Sequence, residues 1–313
     1  MIRSGGVAFS RALPRILTPG YPLSWAVALV CALYFTAASA SLLVWILTGN
    51  ATVLSICFQE IGGPLLAVFA MIEAAAALRV WSLFNPGEPL RTGWFFLASA
   101  GSVHAVSVIT RHLLGRNILL NPLRFLPSSS PLFPLLDDFG RVLGGTLLPL
   151  VLLAGIYFVL RVYRRLRLLT RLSPVDYLAL AVAALFLAFE FSELLRWLPL
   201  RRGNITALWT MDWATDPLFI LLFAAAIVLR RANLALRRGR LARCWTAYAA
   251  AIFLTCTGNL GVALVEGGFI TQNQSWPFWL IWYPAAAGFT LAPIFQMETM
   301  HLALRSQAAS PRF

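Results

Sequence analysis

Lysine is absent from this 313-residue chain: all 25 basic side chains are arginine. Without lysine the chain can form neither a retinal Schiff base nor a phosphate loop ending in Gly-Lys-Ser/Thr. Histidine is nearly as scarce. His104, His112 and His301 fall at three different depths of the apolar segments, whereas a bis-histidine haem needs two imidazoles at one depth on facing helices. Cys31, Cys57, Cys244 and Cys256 are scattered, with no C-x-x-C spacing to hold zinc or an iron–sulfur cluster, and read as small packing residues. Neither a His-Glu-x-x-His zinc motif nor a Gly-x-Ser-x-Gly serine motif occurs. No haem, iron–sulfur cluster or metal is therefore expected in this chain.

Charge is also thin. Charged residues make up 12% of the chain and apolar residues 59%, with a mean hydropathy of +0.77, against about 25% charged and 45–50% apolar in soluble domains. Eight apolar runs are each close to the 20 residues a helix needs to cross a hydrocarbon core. They are Leu23 to Leu47, Ile61 to Trp81, Trp94 to Leu114, Val142 to Tyr163, Val175 to Leu198, Trp213 to Leu229, Trp245 to Val265 and Phe278 to Met297. They do not alternate as barrel strands would, so closed helices are left to satisfy the backbone in lipid. The expected fold is an all-α integral membrane protein with eight transmembrane helices, and the lipid bilayer is its first partner.

The arginines set the expected orientation. With the N-terminus inside, 18 fall on the cytoplasmic side and 7 on the other, and Arg161 to Arg171 and Arg230 to Arg243 hold five and six of them. Both termini are then cytoplasmic, as in a multi-pass protein of the bacterial inner membrane. The net charge of +13 reads as topology and contact with anionic lipid. No nucleic acid partner is expected, since no basic module stands outside the membrane. Residues 1–20 carry Arg3, Arg11 and Arg15 but no apolar core, so they are not a signal sequence by themselves, and the first helix is expected to be retained.

The chain also repeats itself. Pro174 to Trp197 matches Pro22 to Trp45 at an offset of 152 through Pro22/Pro174, Val30/Val182, Ala32/Ala184, Leu33/Leu185, Leu42/Leu194, Leu43/Leu195 and Trp45/Trp197. The second and sixth runs align at 153 and the third and seventh at 157. The fourth and eighth align at 144 through Gly-x-Thr-Leu-x-Pro at Gly144 and Gly288. A unit of four helices duplicated in tandem keeps its orientation, so the halves should be parallel repeats about an axis along the membrane normal. The expected organisation is a tail at 1–22, repeats at 23–163 and 164–304, and a tail at 305–313. Pro149 and Pro293 should kink equivalent helices around a shared cavity, each relieved by a Thr hydroxyl one turn earlier.

Where the first copy has Ala38, Ser41 and Val44, the second has Glu190, Glu193 and Arg196. Ionisable groups inside spanning segments are costly, about 2.5–3.5 kcal/mol on insertion scales, and mark pathways or sites. The candidates are Glu73, His104, Glu190, Glu193, Asp212, Asp216, Glu266 and Glu298. Asp212, Asp216 and Glu266 lie at helix ends, where capping or solvated roles come first. Glu190, Glu193 and Arg196 share one helical face, as either a site or an ion-pair ladder. Glu73 falls opposite Ala226, and His104 opposite Gly261. The tryptophans near helix ends read first as interfacial anchors and second as lining of a quinone pocket.

The first helix WAVALVCALYFTAASASLLVW and the connection LRVWSLFNPGEPLRTGWFFL resemble the NrfD or polysulfide-reductase membrane-subunit family. Arg79, Trp81, Phe84, Asn85, Pro86 and Gly93 would match its loop between helices two and three, while Ala77 stands where the family often has an acid. The similarity covers roughly the first third of the chain. It implies a quinone- or quinol-binding anchor subunit that exchanges electrons with an iron–sulfur or other redox partner subunit. Glu73, His104, Glu190 and Glu193 would then be the proton-handling groups. Two other readings remain: a transporter or channel whose repeats rock about Pro149 and Pro293, and a structural or sensory subunit of a larger respiratory or photosynthetic complex.

Overall fold

The computed structural model describes residues 23–200, 207–234, 240–266, 269–271 and 275–309, with side chains for all of these except 187, 190–200, 207–214, 216, 240, 262–263, 266 and 305–309. Its described residues form eight consecutive helical rods: α1 (Leu23–Thr48), α2 (Ala51–Leu83), α3 (Pro89–Leu114), α4 (Leu132–Arg165), α5 (Pro174–Leu200), α6 (Ala207–Leu234), α7 (Arg240–Glu266) and α8 (Trp276–Ala309). Six are long and apolar enough to cross a membrane: α1 to α4, Pro217–Leu234 of α6 and Trp276–Leu304 of α8. This is the pattern of a multi-pass membrane protein.

The rod ends follow from local chemistry. Asn50 accepts the Thr52 N–H at 2.9 Å and starts α2. Gly87 sits at φ +92°, a conformation that side-chain-bearing residues rarely adopt, and Pro89 opens α3, where its missing N–H costs nothing. Before α5, Ser173 and Asp176 make a capping box: the Ser173 N–H donates to Asp176 Oδ2 at 2.8 Å and the Asp176 N–H to Ser173 Oγ at 3.3 Å. Arg230 and Arg231 of α6 reach the same buried carboxylate at 3.2 and 3.7 Å. Glu298 of α8 likewise accepts the Ser24 backbone N–H at 3.2 Å and its hydroxyl at 3.0 Å, so this candidate serves to cap α1.

Two rods begin well before the apolar runs suggest. α2 starts at Ala51 and α4 at Leu132, and each passes through a π-helical stretch, Ile56–Ile61 and Leu143–Leu147. A third π-helical stretch, Ile109–Leu114, ends α3. Polar and proline-bearing sequence such as LFPLLDD, from Leu132, lowers the apolar average there without stopping the helix. The expected Thr relief at Pro293 also differs in form. The Thr290 hydroxyl donates to Ala286 O and across to Phe69 O of α2, both at 2.9 Å, which ties two rods together.

Six rods touch in a closed cycle: α2 with α3, α3 with α4, α4 with α6, α6 with α7, α7 with α8, and α8 with α2. α1 packs on α8 and α5 on α6, outside this ring. On α1 the outward face keeps Trp25, Leu29, Leu33 and Leu47 exposed, as a surface turned to lipid requires. The largest apolar core joins α3, α4, α6, α7 and α8 through Trp94, Leu97, Ile156, Leu222, Tyr248, Ile252 and Phe289.

Candidate functional site

Small residues bring α2 and α3 together. A Cβ on Gly101 would lie 3.2 Å from Ala74 Cα and 3.6 Å from Glu73 Cγ, so a larger residue would have to push the helices apart by a few tenths of an ångström. One turn further, His104 Nδ1 meets Glu73 Oε2 at 2.6 Å. Glu73 is 3% exposed. At that distance a proton lies between the two atoms, and the carboxylate fixes the orientation of the imidazole. The His104 ring also meets Phe289 of α8 edge-on, with centroids 5.6 Å apart.

His104 belongs to the wall of a cavity of about 400 Å³ inside the ring. Every ring member lines it: Leu66 of α2, Ser107 and Arg111 of α3, Gly144 and Gly145 of α4, Thr215 and Phe219 of α6, Thr255 and Asn259 of α7, and Trp279 and Trp282 of α8. Glu73 holds Nδ1, so Nε2 is the nitrogen the imidazole has left for a ligand. The aromatic wall is a single helical face. Phe278, Trp279, Trp282, Ala285, Ala286 and Phe289 recur at the spacing of α8's inward stripe.

The end of the cavity away from His104 is cationic. Arg111, Arg116 and Arg141 line it, and Asp137 stands 3.6 Å from Arg111 Nε and 3.3 Å from Arg141 Nε. Two of the π-helical stretches end here, and such stretches are frequent at functional sites. Nearby carbonyls are claimed by hydroxyls: Ser107 donates to Gly140 O at 2.7 Å and Thr215 to Gly145 O at 2.6 Å. His112 shares this wall. Among the described residues no group of three or more His, Cys, Asp or Glu side chains gathers, and the four cysteines are buried and form no disulfide.

The structure thus joins two of the four main candidates, Glu73 and His104. Glu190 and Glu193 ride on α5, outside the ring, and their side chains lie outside the described residues, as do those of Asp212, Asp216 and Glu266. In the α2–α3 connection Asn85 donates to Glu88 at 2.6 Å, Arg91 lies 5.3 Å from the centre of the Trp81 ring, and Arg79 Nε is buried without an acceptor. None of these residues lines the cavity. Sequence reasoning passed over Arg111, Arg141, Thr215 and Asn259. For the arginines a signal existed: Arg111 lies seven residues from His104, two turns along one face, and both are ionisable. No family model, curated protein or solved structure matches the chain.

Proposed function

We propose that the chain is a quinone- or quinol-binding subunit of a bacterial inner-membrane redox complex, with the head group in the cavity against His104. The observation that carries this reading is His104, held by buried Glu73 behind it, in the wall of an aromatic-lined cavity. A quinol hydroxyl bonded to His104 Nε2 gives up its proton there, Nδ1–H leans on the Glu73 carboxylate, and that carboxylate stabilises the imidazolium. Two electrons leave with the two protons of a quinol and pass to an iron–sulfur or other redox partner subunit. Trp279, Trp282 and Phe289 supply flat apolar walls for a planar ring.

In this reading all eight rods span the bilayer, both termini are cytoplasmic and the cationic end of the cavity faces outward. The parallel contacts support two tandem repeats. Thr215 meets Gly145 and Tyr163 meets Asn233 where α4 runs beside α6, and Thr290 meets Phe69 where α8 runs beside α2. An axis along the membrane normal relates one such pair to the other.

The test is extraction of quinone from the purified chain together with titration of a soluble quinone analogue, read as quenching of tryptophan fluorescence. Quenching weakened about tenfold or more by His104→Gln is expected, that being the size of a lost buried hydrogen bond to a charged or oriented partner. No extracted quinone and no quenching would overturn the reading. A second reading, a transporter with its substrate at the ring centre, is favoured by the closed cycle of six rods around the cavity. Flux through liposomes holding the isolated chain would select it.

A further inference from the structure

A quinone head group carries two oxygens on opposite sides of one ring, and His104 Nε2 serves only one of them. The oxygens of a para-quinone lie about 5 Å apart and a hydrogen bond adds about 3 Å at each end, so the partners of the two oxygens stand roughly 11 Å apart. His112 lines the same cavity, eight residues further along α3. At about 1.5 Å per residue, that is a step of about 12 Å along the helix axis. Distance alone does not bring the second imidazole to the cavity, because eight residues of plain α-helix also turn it about 80° away from the His104 face. Here α3 ends in the π-helical stretch Ile109–Leu114, whose i→i+5 turns spend less rotation per residue and carry His112 back toward that face.

We propose that His112 is the second hydrogen-bond partner of the head group and makes the cavity specific for rings with two opposed oxygens. The proposal rests on the quinone reading and adds to it the residue that sets this specificity. A neutral imidazole has one donor and one acceptor nitrogen, so His112 can donate to a quinone carbonyl or accept from a quinol hydroxyl. Packing holds the backbone that bears it. A Cβ on Gly63 of α2 would lie 2.7 Å from His112 O and 3.5 Å from His112 Cβ, so this turn of α3 is seated tightly on α2. In the α8 wall the Trp282 indole rests against Gly258 of α7, where a Cβ would come within 3.0 Å of the ring, so that the aromatic surface is held in place as well.

Calorimetric titration of the purified full chain in detergent, under argon, compares two probes with the same short alkyl tail: a hydroquinone, and the phenol in which a methyl group replaces one of its hydroxyls. The wild type should bind the hydroquinone about tenfold or more tightly than the phenol, which leaves one imidazole without a partner. His112→Leu should weaken the hydroquinone to the level of the phenol and leave phenol binding unchanged, because the phenol turns its one hydroxyl to His104. A merely structural role for His112 would weaken both probes alike. His112→Gln, which keeps a side-chain donor, should retain part of the preference, and it takes the place of His112→Leu if that variant does not fold. A wild type that binds both probes equally, or a His112 variant that keeps the full preference or loses both probes alike, overturns the proposal and leaves His104 and the quinone reading standing. No binding of either probe by the wild type overturns the proposal at once, and where no quinone is extracted either, the quinone reading falls with it.

Discussion

Two neighbouring pairs of rods in the ring, α2 with α3 and α6 with α7, solve similar packing problems with opposite chemistry. In register, Ala226 stands opposite Glu73 and Gly261 opposite His104. Ala226 is fully buried in the main apolar core, and Gly261 faces the Phe278 ring across the cavity wall. The second pair thus closes its side of the ring with a methyl group and a hydrogen where the first pair buries an acid and an imidazole. A ring of this kind needs no polar pair to close. The dyad belongs to the cavity, and the substitutions that follow test that asymmetry.

The largest expected effect comes from putting the acid on the wrong side. Ala226→Glu buries a carboxyl among apolar neighbours with no partner and should cost about 3–5 kcal/mol, read by denaturant titration in mixed micelles. A neutral outcome would mean that this position reaches water or a base, and the contrast between the pairs would fail. Removing the acid from the side that has it should cost less. Glu73→Leu strips His104 Nδ1 of its acceptor and should cost about 1–3 kcal/mol. Glu73→Gln keeps an acceptor oxygen but not its charge. It should fold to near wild-type stability while losing quinol-dependent turnover in the assembled complex, and full turnover would separate the pair from proton handling.

The contact between α2 and α3 can be loosened without touching either dyad residue. Gly101→Ala sets a methyl 3.2 Å from a backbone carbon of the facing helix, which a side-chain rotation cannot relieve. The rods must part, at about 1–3 kcal/mol. Because Glu73 and His104 meet one turn away, this variant should also weaken quinone-analogue quenching. Loss of stability with unchanged quenching would show that the pair adjusts independently of the helix spacing.

Much of this architecture was legible in the residues. The eight apolar runs correspond in order to the eight rods, since continuous Ala- and Leu-rich stretches leave the backbone no alternative to helix in lipid. Their starts were not legible at α2 and α4, because polar residues such as Gln59, Glu60 and Asp137 and prolines such as Pro134 lower the local apolar average while the helix continues. Glu73 and His104 stood out singly as costly groups in apolar runs. Their union did not, because 31 residues and a turn at Gly87 separate them and only helix packing sets the 2.6 Å contact. Glu298 stood out for the same reason, yet it caps α1; cost marks a polar group as partnered and does not say by what.

The smallest effect expected here tests whether the two pairs act through the rods that join them. Tyr163 of α4 donates its hydroxyl to Asn233 Oδ1 of α6 at 2.7 Å, and Asn233 in turn donates to Leu229 O. Both side chains are buried, and the bond lies at the opposite end of these rods from Gly145 and Thr215, which meet at the cavity. Tyr163→Phe removes one hydroxyl, keeps the ring in its packing and leaves Asn233 Oδ1 without that donor, so a cost of about 1 kcal/mol follows. Nothing at the cavity touches this bond, and quenching by the quinone analogue should stay at the wild-type value. A change in quenching larger than the change in stability would mean that α4 and α6 move as levers about this joint, and would favour the rocking transporter over the fixed redox subunit.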